Sequence, residues 1–252
     1  MTRPLIIAIG LAAIAGASSA VLAESHHHWS YFGEGAPSHW AELDPKNAAC
    51  GMGKNQSPID IRTHDLHPAA LPALKFDYKP DALHIIDNGH TVQVNVDPGN
   101  FLLVGDRHYE LVQFHFHHPS EELVNGKGFD MEAHLVHRDA KGHLAVVAVL
   151  LRPGQPNAMI DTLWHYLPKQ KELQVDQKAV RIDITALIPP DHAYYSYTGS
   201  LTTPPCSEGV RWFVLKSPRT LSQREIATFA GRYPNDARPV QKLNGREVLA
   251  TK

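Results

Sequence analysis

The stretch from Glu110 to His118 reads ELVQFHFHH, and a second run from Met131 to His137 reads MEAHLVH. Side chains alternate faces along an extended chain. Gln113, His115 and His117 therefore share one face, while Phe114, Phe116 and His118 share the other. In the second run Glu132, His134 and Val136 fall together. The connection between them, PSEELVNGKGF, is rich in turn residues and predicts a hairpin that sets the two runs side by side.

That pairing decides what the histidine face can do. His115 and His117 stand about 7 Å apart at Cα, and both rings can bend toward one ion, since Zn–N bonds are about 2.0–2.1 Å. His134 from the neighbouring strand supplies a third neutral nitrogen. Three protein ligands with an open fourth position make the pattern of a catalytic zinc site. A ligating histidine usually gives its other ring N–H to an acceptor. Gln113 and Glu132 each precede a histidine by two residues on its own face, and His117 has no local partner. An H-x-H alone equally suits hydrogen-bonded core histidines. The E-x-H on the adjacent run favours a metal.

Outward from this pair, the runs HTVQVNV (90–96), NFLLVG (100–105), HLAVVAVLL (143–151), AVRIDIT (179–185) and RWFVLK (211–216) read as further strands. LAVVAVLL is continuously apolar and predicts burial on both faces. Two helices are expected: PNAMIDTLWHYL (156–167), with helical spacing of Met159, Leu163 and Leu167, and SQREIATFAGRY. The second opens on a capping box, Ser222 with Glu225, and meets Gly231 as a stop. No linker, repeat or run of like charge divides the chain. The expected fold is mainly β (α+β): one domain around a large, twisted, mostly antiparallel sheet with a few short peripheral helices.

The chain of 252 residues opens MTRPLIIAIGLAAIAGASSAVLAES. Arg3, the apolar Leu5–Ala15 and the small residues up to Ala23 read as a signal peptide over 1–23. That apolar core is short for a bilayer, although a retained anchor is the alternative. The mature domain would be 24–252, periplasmic or secreted, with no stable membrane insertion. Loss of Arg3 leaves 23 basic against 26 acidic side chains, a net charge of −3. Such weak acidity argues against a nucleic-acid partner. In an oxidising compartment the two cysteines, Cys50 and Cys206, predict a disulfide; two free buried thiols are the other reading.

QFHFHHPSE, MEAHLVH, SYTGSLTTPP, GKNQSPIDI (53–61) and DNGHTVQV (87–94) together resemble the alpha-class carbonic anhydrases, of the exported bacterial type. The resemblance runs from HHWSYFGEGAPSHW (27–40) through RPVQKLNGR (238–246), with motifs in family order. It implies that a zinc ion is the cofactor and that His115, His117 and His134 are its ligands. It also implies reversible hydration of carbon dioxide to bicarbonate, with an ester-hydrolysing side activity. By the same resemblance Thr202 is the gatekeeper, its hydroxyl donating to Glu121, and Thr203 lines the substrate site. Val136, Val146, Leu201 and Trp212 match the apolar pocket for CO2. His90 matches the proton shuttle, and Tyr31, Asn88 and Gln93 match positions that order its water chain. Gln56 matches a buried structural residue.

Each of these has a plainer reading: TTPP as a rigid turn, the four apolar residues as core, His90 as an inert surface histidine. Three positions depart from the usual animal pattern. His118 stands where Trp is usual, Glu122 where His is common, and the small Ala133 separates Glu132 from His134. Rival functions are a non-catalytic family member and a periplasmic zinc-buffering protein. The 17 histidines, including the His26-His27-His28 tract, bear on the second. A homodimer is compatible with the sequence.

Overall fold

A computed structural model describes residues 28–252, so the leader expected over 1–23 and residues His26 and His27 lie outside the described residues. The architecture is a 13-stranded mixed sheet. Its main path runs Leu173–Ile182, Asp81–Asp87, Val92–Asn95, Arg107–His117, Met131–Arg138, Leu144–Pro153, Glu208–Leu215, Tyr194–Ser200, Leu249–Thr251, His67–Ala69. Most neighbours are antiparallel, but Leu144–Pro153 pairs in parallel with Glu208–Leu215 and with Arg219–Leu221. No described helix is long and apolar enough to cross a membrane.

The apolar alternation read from the sequence sorts the sheet into two sides. Phe114, Phe116, Leu135, Val147 and Phe213 point into the larger core, covered by Met159, Ile160 and Leu163 of the Ala158–His165 helix and Ile226 and Phe229 of Gln223–Ala230. Each such side chain, fully buried, contributes about 1.5–3 kcal/mol. The opposite side carries Val146, Ala148, Tyr197, Trp212 and Val214, packed with Ile59 and Ile61. Burial on both faces of Leu144–Pro153 matches its unbroken apolar run. The capping box at Ser222 forms, and Gly231 is the C-cap. Asn157 accepts from Met159 and Ile160 N–H and starts the other helix.

Three local readings are corrected. AVRIDIT is not one strand: the strand begins at Leu173 and ends at Ile182, and Asp183 then accepts from Thr185 N–H to cap a 3-10 turn over Ile184–Leu187. The 117–131 connection is more than a hairpin turn, because Leu123–Val124 pairs in parallel with Asp60–Ile61. The strands Asp81–Asp87 and Tyr194–Ser200 were not read from the sequence at all. At the other end of the site, Cys50 and Cys206 are disulfide-bonded and pack with Trp40, beside Trp29 and Tyr31.

Candidate metal centre

The strand register places the expected residues in two adjoining rows across the sheet. Gln93 is opposite His115, His115 is opposite His134, and His134 is opposite Ala148. One step along, Gln113 is opposite Val136, Val136 opposite Val146, Val146 opposite Trp212, and Trp212 opposite Tyr197. The imidazoles thus sit directly beside an apolar row. The Trp212 ring meets the His134 ring edge-on at 4.9 Å between centroids. Val146 and Trp212 are buried; Val136 and Leu201 are half-buried against the same cluster.

One ligand atom from each of His115, His117 and His134 lies within 4.8 Å of the other two. Which nitrogens face the common point follows from what holds the others. His115 Nδ1 donates to Gln113 Oε1 at 2.8 Å, the partner expected two residues upstream. His117 Nδ1 donates to the Asp236 carbonyl at 2.8 Å. Nε2 of both rings is left free, and that of His117 is buried without any partner. In His134 it is Nε2 that turns toward carboxylates, Glu122 and Glu132 at 3.6 Å each, leaving Nδ1 on the inner side. Burial lowers the pKa of His115 to about 3, helped by the nearby His134, and lowers that of His117 well below its usual value. Neutral imidazoles with one nitrogen tied and one free are the form a divalent metal requires. At His134 desolvation works against the charge, but Glu122 and Glu132 carry its pKa up to about 10.

Glu132 departs from its expected contact. At 3.6 Å it makes no hydrogen bond to His134. Its Oε2 instead accepts the backbone N–H of Glu121 and of Glu122, at 2.8 and 3.0 Å. Glu121 is fixed in turn: Oε1 accepts from Arg238 N–H at 2.8 Å, while Oε2 stands 3.7 Å from His117 Nε2 and 3.9 Å from His134 Nδ1. Burial, above all, raises Glu121 to about 7. Thr202 is buried and close enough to pull that pKa down, yet Glu121 Oε2 has no hydrogen-bond partner. The gatekeeper contact is therefore in reach but not made. The loop carrying it is pinned by Leu201 N–H to Ser207 O and Cys206 N–H to Thr203 O. Thr203 is half-buried.

His90 follows Gly89, whose φ of +87° suits the turn that Asn88 closes by accepting from His90 and Thr91 N–H. Asn88 Nδ2 reaches Gln93 Oε1 at 3.4 Å. The His90 ring stacks on Trp29, 3.6 Å between centroids, and its Nε2 is 3.0 Å from His28 Nε2. Burial, then the charges of His28 and Lys171, lowers His90 to about 4. Tyr31 is half-buried beside Trp29 and Trp40, and burial with nearby Glu121 holds its phenol protonated. Gln56 is buried in a structural network with Cys206 O, Glu208 and Arg238.

Several residues of this site escaped the sequence reading. Asp236 acts through a backbone carbonyl, which no side chain advertises. Arg238 binds Gln56, Ser57 O and Cys50 O; it lies inside RPVQKLNGR, where only its place in the family pattern marks it. Trp29 lies inside HHWSYF in the same way.

Comparison with known proteins adds an independent line. The family model for eukaryotic-type carbonic anhydrase matches residues 35–252. A carbonic anhydrase of Nostoc sp. is 44% identical over 225 residues, covering 88% of this chain and 85% of the relative. One from Klebsiella pneumoniae is 43% identical and covers 96% and 98%. The solved alpha-carbonic anhydrase of Thermovibrio ammonificans, in complex with sulfanilamide, superposes with a TM-score of 0.85 at 41% identity, covering 88% of this chain and 98% of that one. This chain belongs to the eukaryotic-type, or alpha, carbonic anhydrase family and is an enzyme of that family.

Proposed function

We propose that the protein catalyses the reversible hydration of CO2 to bicarbonate and a proton with one zinc ion held by His115 Nε2, His117 Nε2 and His134 Nδ1. The observation that carries this is the trio itself: three imidazoles, His117 and His134 buried and His115 half-buried, each with one nitrogen directed to an acceptor and together offering one ligand atom apiece within 4.8 Å of one another. Zinc bound there would supply a Lewis acid that brings the pKa of water down to about 7, a known property of carbonic anhydrases.

The chain's own residues do the rest. Val136, Val146, Leu201 and Trp212 form an apolar wall next to His134, which suits a substrate with no net dipole. Thr202, buried beside Glu121, would orient the attacking oxygen by accepting a hydrogen bond from it while its own hydroxyl donates one to Glu121; Thr203 lines the product side. Glu121 is held by Arg238 N–H and serves to orient. His90 is the group assigned to carry the proton away through water ordered by Tyr31, Asn88 and Gln93, a role that requires its ring to leave the Trp29 stack and regain a pKa nearer neutrality. Residues 1–23 act as a cleaved signal peptide, and the mature domain, 24–252, works in the periplasm or outside the cell. The Cys50–Cys206 bridge supports that placement. Ester hydrolysis is a side activity of the same centre.

Metal analysis with stopped-flow CO2 hydration tests the reading. His134→Ala is expected to lose both zinc and activity. A zinc-free, fully active variant overturns the ligand assignment.

A further inference from the structure

We propose that Glu122 is a positioning residue for His134, a second carboxylate that shares with Glu132 the task of aiming this ring at the metal. The proposal deepens the zinc reading above and rests on it. The expected support for such a ligand is one acceptor behind its outer nitrogen. Here there are two. Nε2 of His134 lies 3.6 Å from Glu122 Oε2 and 3.6 Å from Glu132 Oε1. These three atoms are all buried, and none has a hydrogen-bond partner. A movement of a few tenths of an ångström brings either pair into hydrogen-bond range.

Each carboxylate is anchored by its other oxygen, so the free ones cannot swing away. Glu132 Oε2 is held by the N–H groups of Glu121 and Glu122. Glu122 Oε1 accepts from Tyr197 O–H at 2.8 Å, and that hydroxyl also bonds Ser57 Oγ at 3.0 Å. The two anchors come from different parts of the fold, a turn and a distant strand. Rotation of the His134 ring away from one acceptor therefore carries it toward the other. Among the described residues no Lys or Arg lies within salt-bridge distance of either carboxylate; the His134 ring is the nitrogen group both of them face.

Glu122→Gln isolates the effect. The amide keeps the side chain's shape. With its oxygen still accepting the hydrogen bond from Tyr197 O–H, its NH2 faces the His134 N–H, donor against donor. Two readings on the zinc-loaded full-length protein are decisive: the rate of zinc release to a chelator, and the NMR position of the His134 Nε2 proton. The expected result is release faster by about 10-fold or more, within the range for lost support of a metal ligand. The Nε2 proton moves upfield as its hydrogen bond weakens, with near-UV circular dichroism unchanged. Release within twofold of wild type, or an unmoved Nε2 proton, overturns the role of Glu122 and leaves the zinc reading standing. So does a second zinc equivalent in wild type that disappears in the variant, which would make the cluster a metal site of its own. Wild-type protein that takes up no zinc overturns the zinc reading and this proposal with it.

Discussion

Replacing both Cys50 and Cys206 by Ser removes a cross-link between residues 156 apart in sequence. Closing a loop of that length in the unfolded chain costs about 17 cal/mol/K on the chain-entropy model, or about 5 kcal/mol at 25 °C. Engineered bridges deliver less, so this is an upper bound. What the structure adds is where the loss falls. Cys206 ends the turn that carries Leu201, Thr202 and Thr203, and its carbonyl accepts from Gln56 Nε2 at 3.0 Å. The three histidines stand on central strands that do not depend on the bridge. Urea unfolding of the paired Ser variant should therefore show a midpoint lowered by an amount equivalent to about 3–5 kcal/mol. Its zinc content should be unchanged and its CO2 hydration reduced. Coincident unfolding curves would refute the argument, because they would mean that the unfolded chain is already as compact without the bridge. Loss of zinc before loss of activity would refute the second half.

Thr202→Ala should retain zinc and lose about 100-fold in CO2 hydration, the scale of one missing transition-state contact; an unchanged rate removes Thr202 from the mechanism. His90→Ala should slow turnover in weak buffer by about 100-fold and recover with added imidazole, and an undiminished rate in dilute buffer reassigns the shuttle. Trp29→Ala exposes the His90 ring, so its pKa, titrated by NMR, should rise from about 4 toward 6.5; a value that stays near 4 contradicts burial as the cause. His137 is buried, bonded to Tyr78 O–H at 2.6 Å, and lowered by burial to about 3. Its neutral form stabilises the fold fully above pH 6.5, and that contribution is lost as pH falls toward 3, by up to about 5 kcal/mol. The acid slope of stability should flatten in His137→Phe, and an unaltered slope assigns acid unfolding to other groups.

The parts of this molecule that were legible in its sequence are those where one strand carries its own explanation. ELVQFHFHH and MEAHLVH alternate so regularly that the face of every residue follows from its parity, and Gln113 and His115 then meet because they are two apart. The face of Val136 was legible for the same reason, since it shares parity with His134; Val146, Leu201 and Trp212 followed only from the family resemblance. Contacts between distant segments were not. His117 is held by a carbonyl 119 residues away, and Glu121 by the N–H of Arg238, 117 residues away. Backbone groups are identical at every position, so composition cannot mark them. The boundary at Ile182 was missed because Asp183 caps a 3-10 turn in competition with a β-prone run. Glu122 was visible only as a departure from a pattern; its meaning required Tyr197, which comes from a strand the sequence reading did not find.

Those same distant contacts explain why the centre is rigid without being self-contained. The segment from Asp236 to Arg238 fixes the His117 ring through a carbonyl, fixes Glu121 through an N–H, and reaches Gln56, Ser57 and the Cys50 carbonyl through one guanidinium. That guanidinium lies over the Trp40 ring at 5.6 Å, inside the cluster that holds the disulfide. A single stretch near the C-terminal end thus sets the tautomer of His117, the position of Glu121 between the His117 and His134 rings, and the packing of the segment that presents Trp29 to His90. The strands bring the three imidazoles together, but strand geometry leaves each ring free to turn about its own bond. What removes that freedom comes from outside the strand pair for two of the three rings. On the zinc reading proposed above, metal affinity and global folding would be coupled through the 236–238 segment and the cluster around Trp40, residues that never touch the metal.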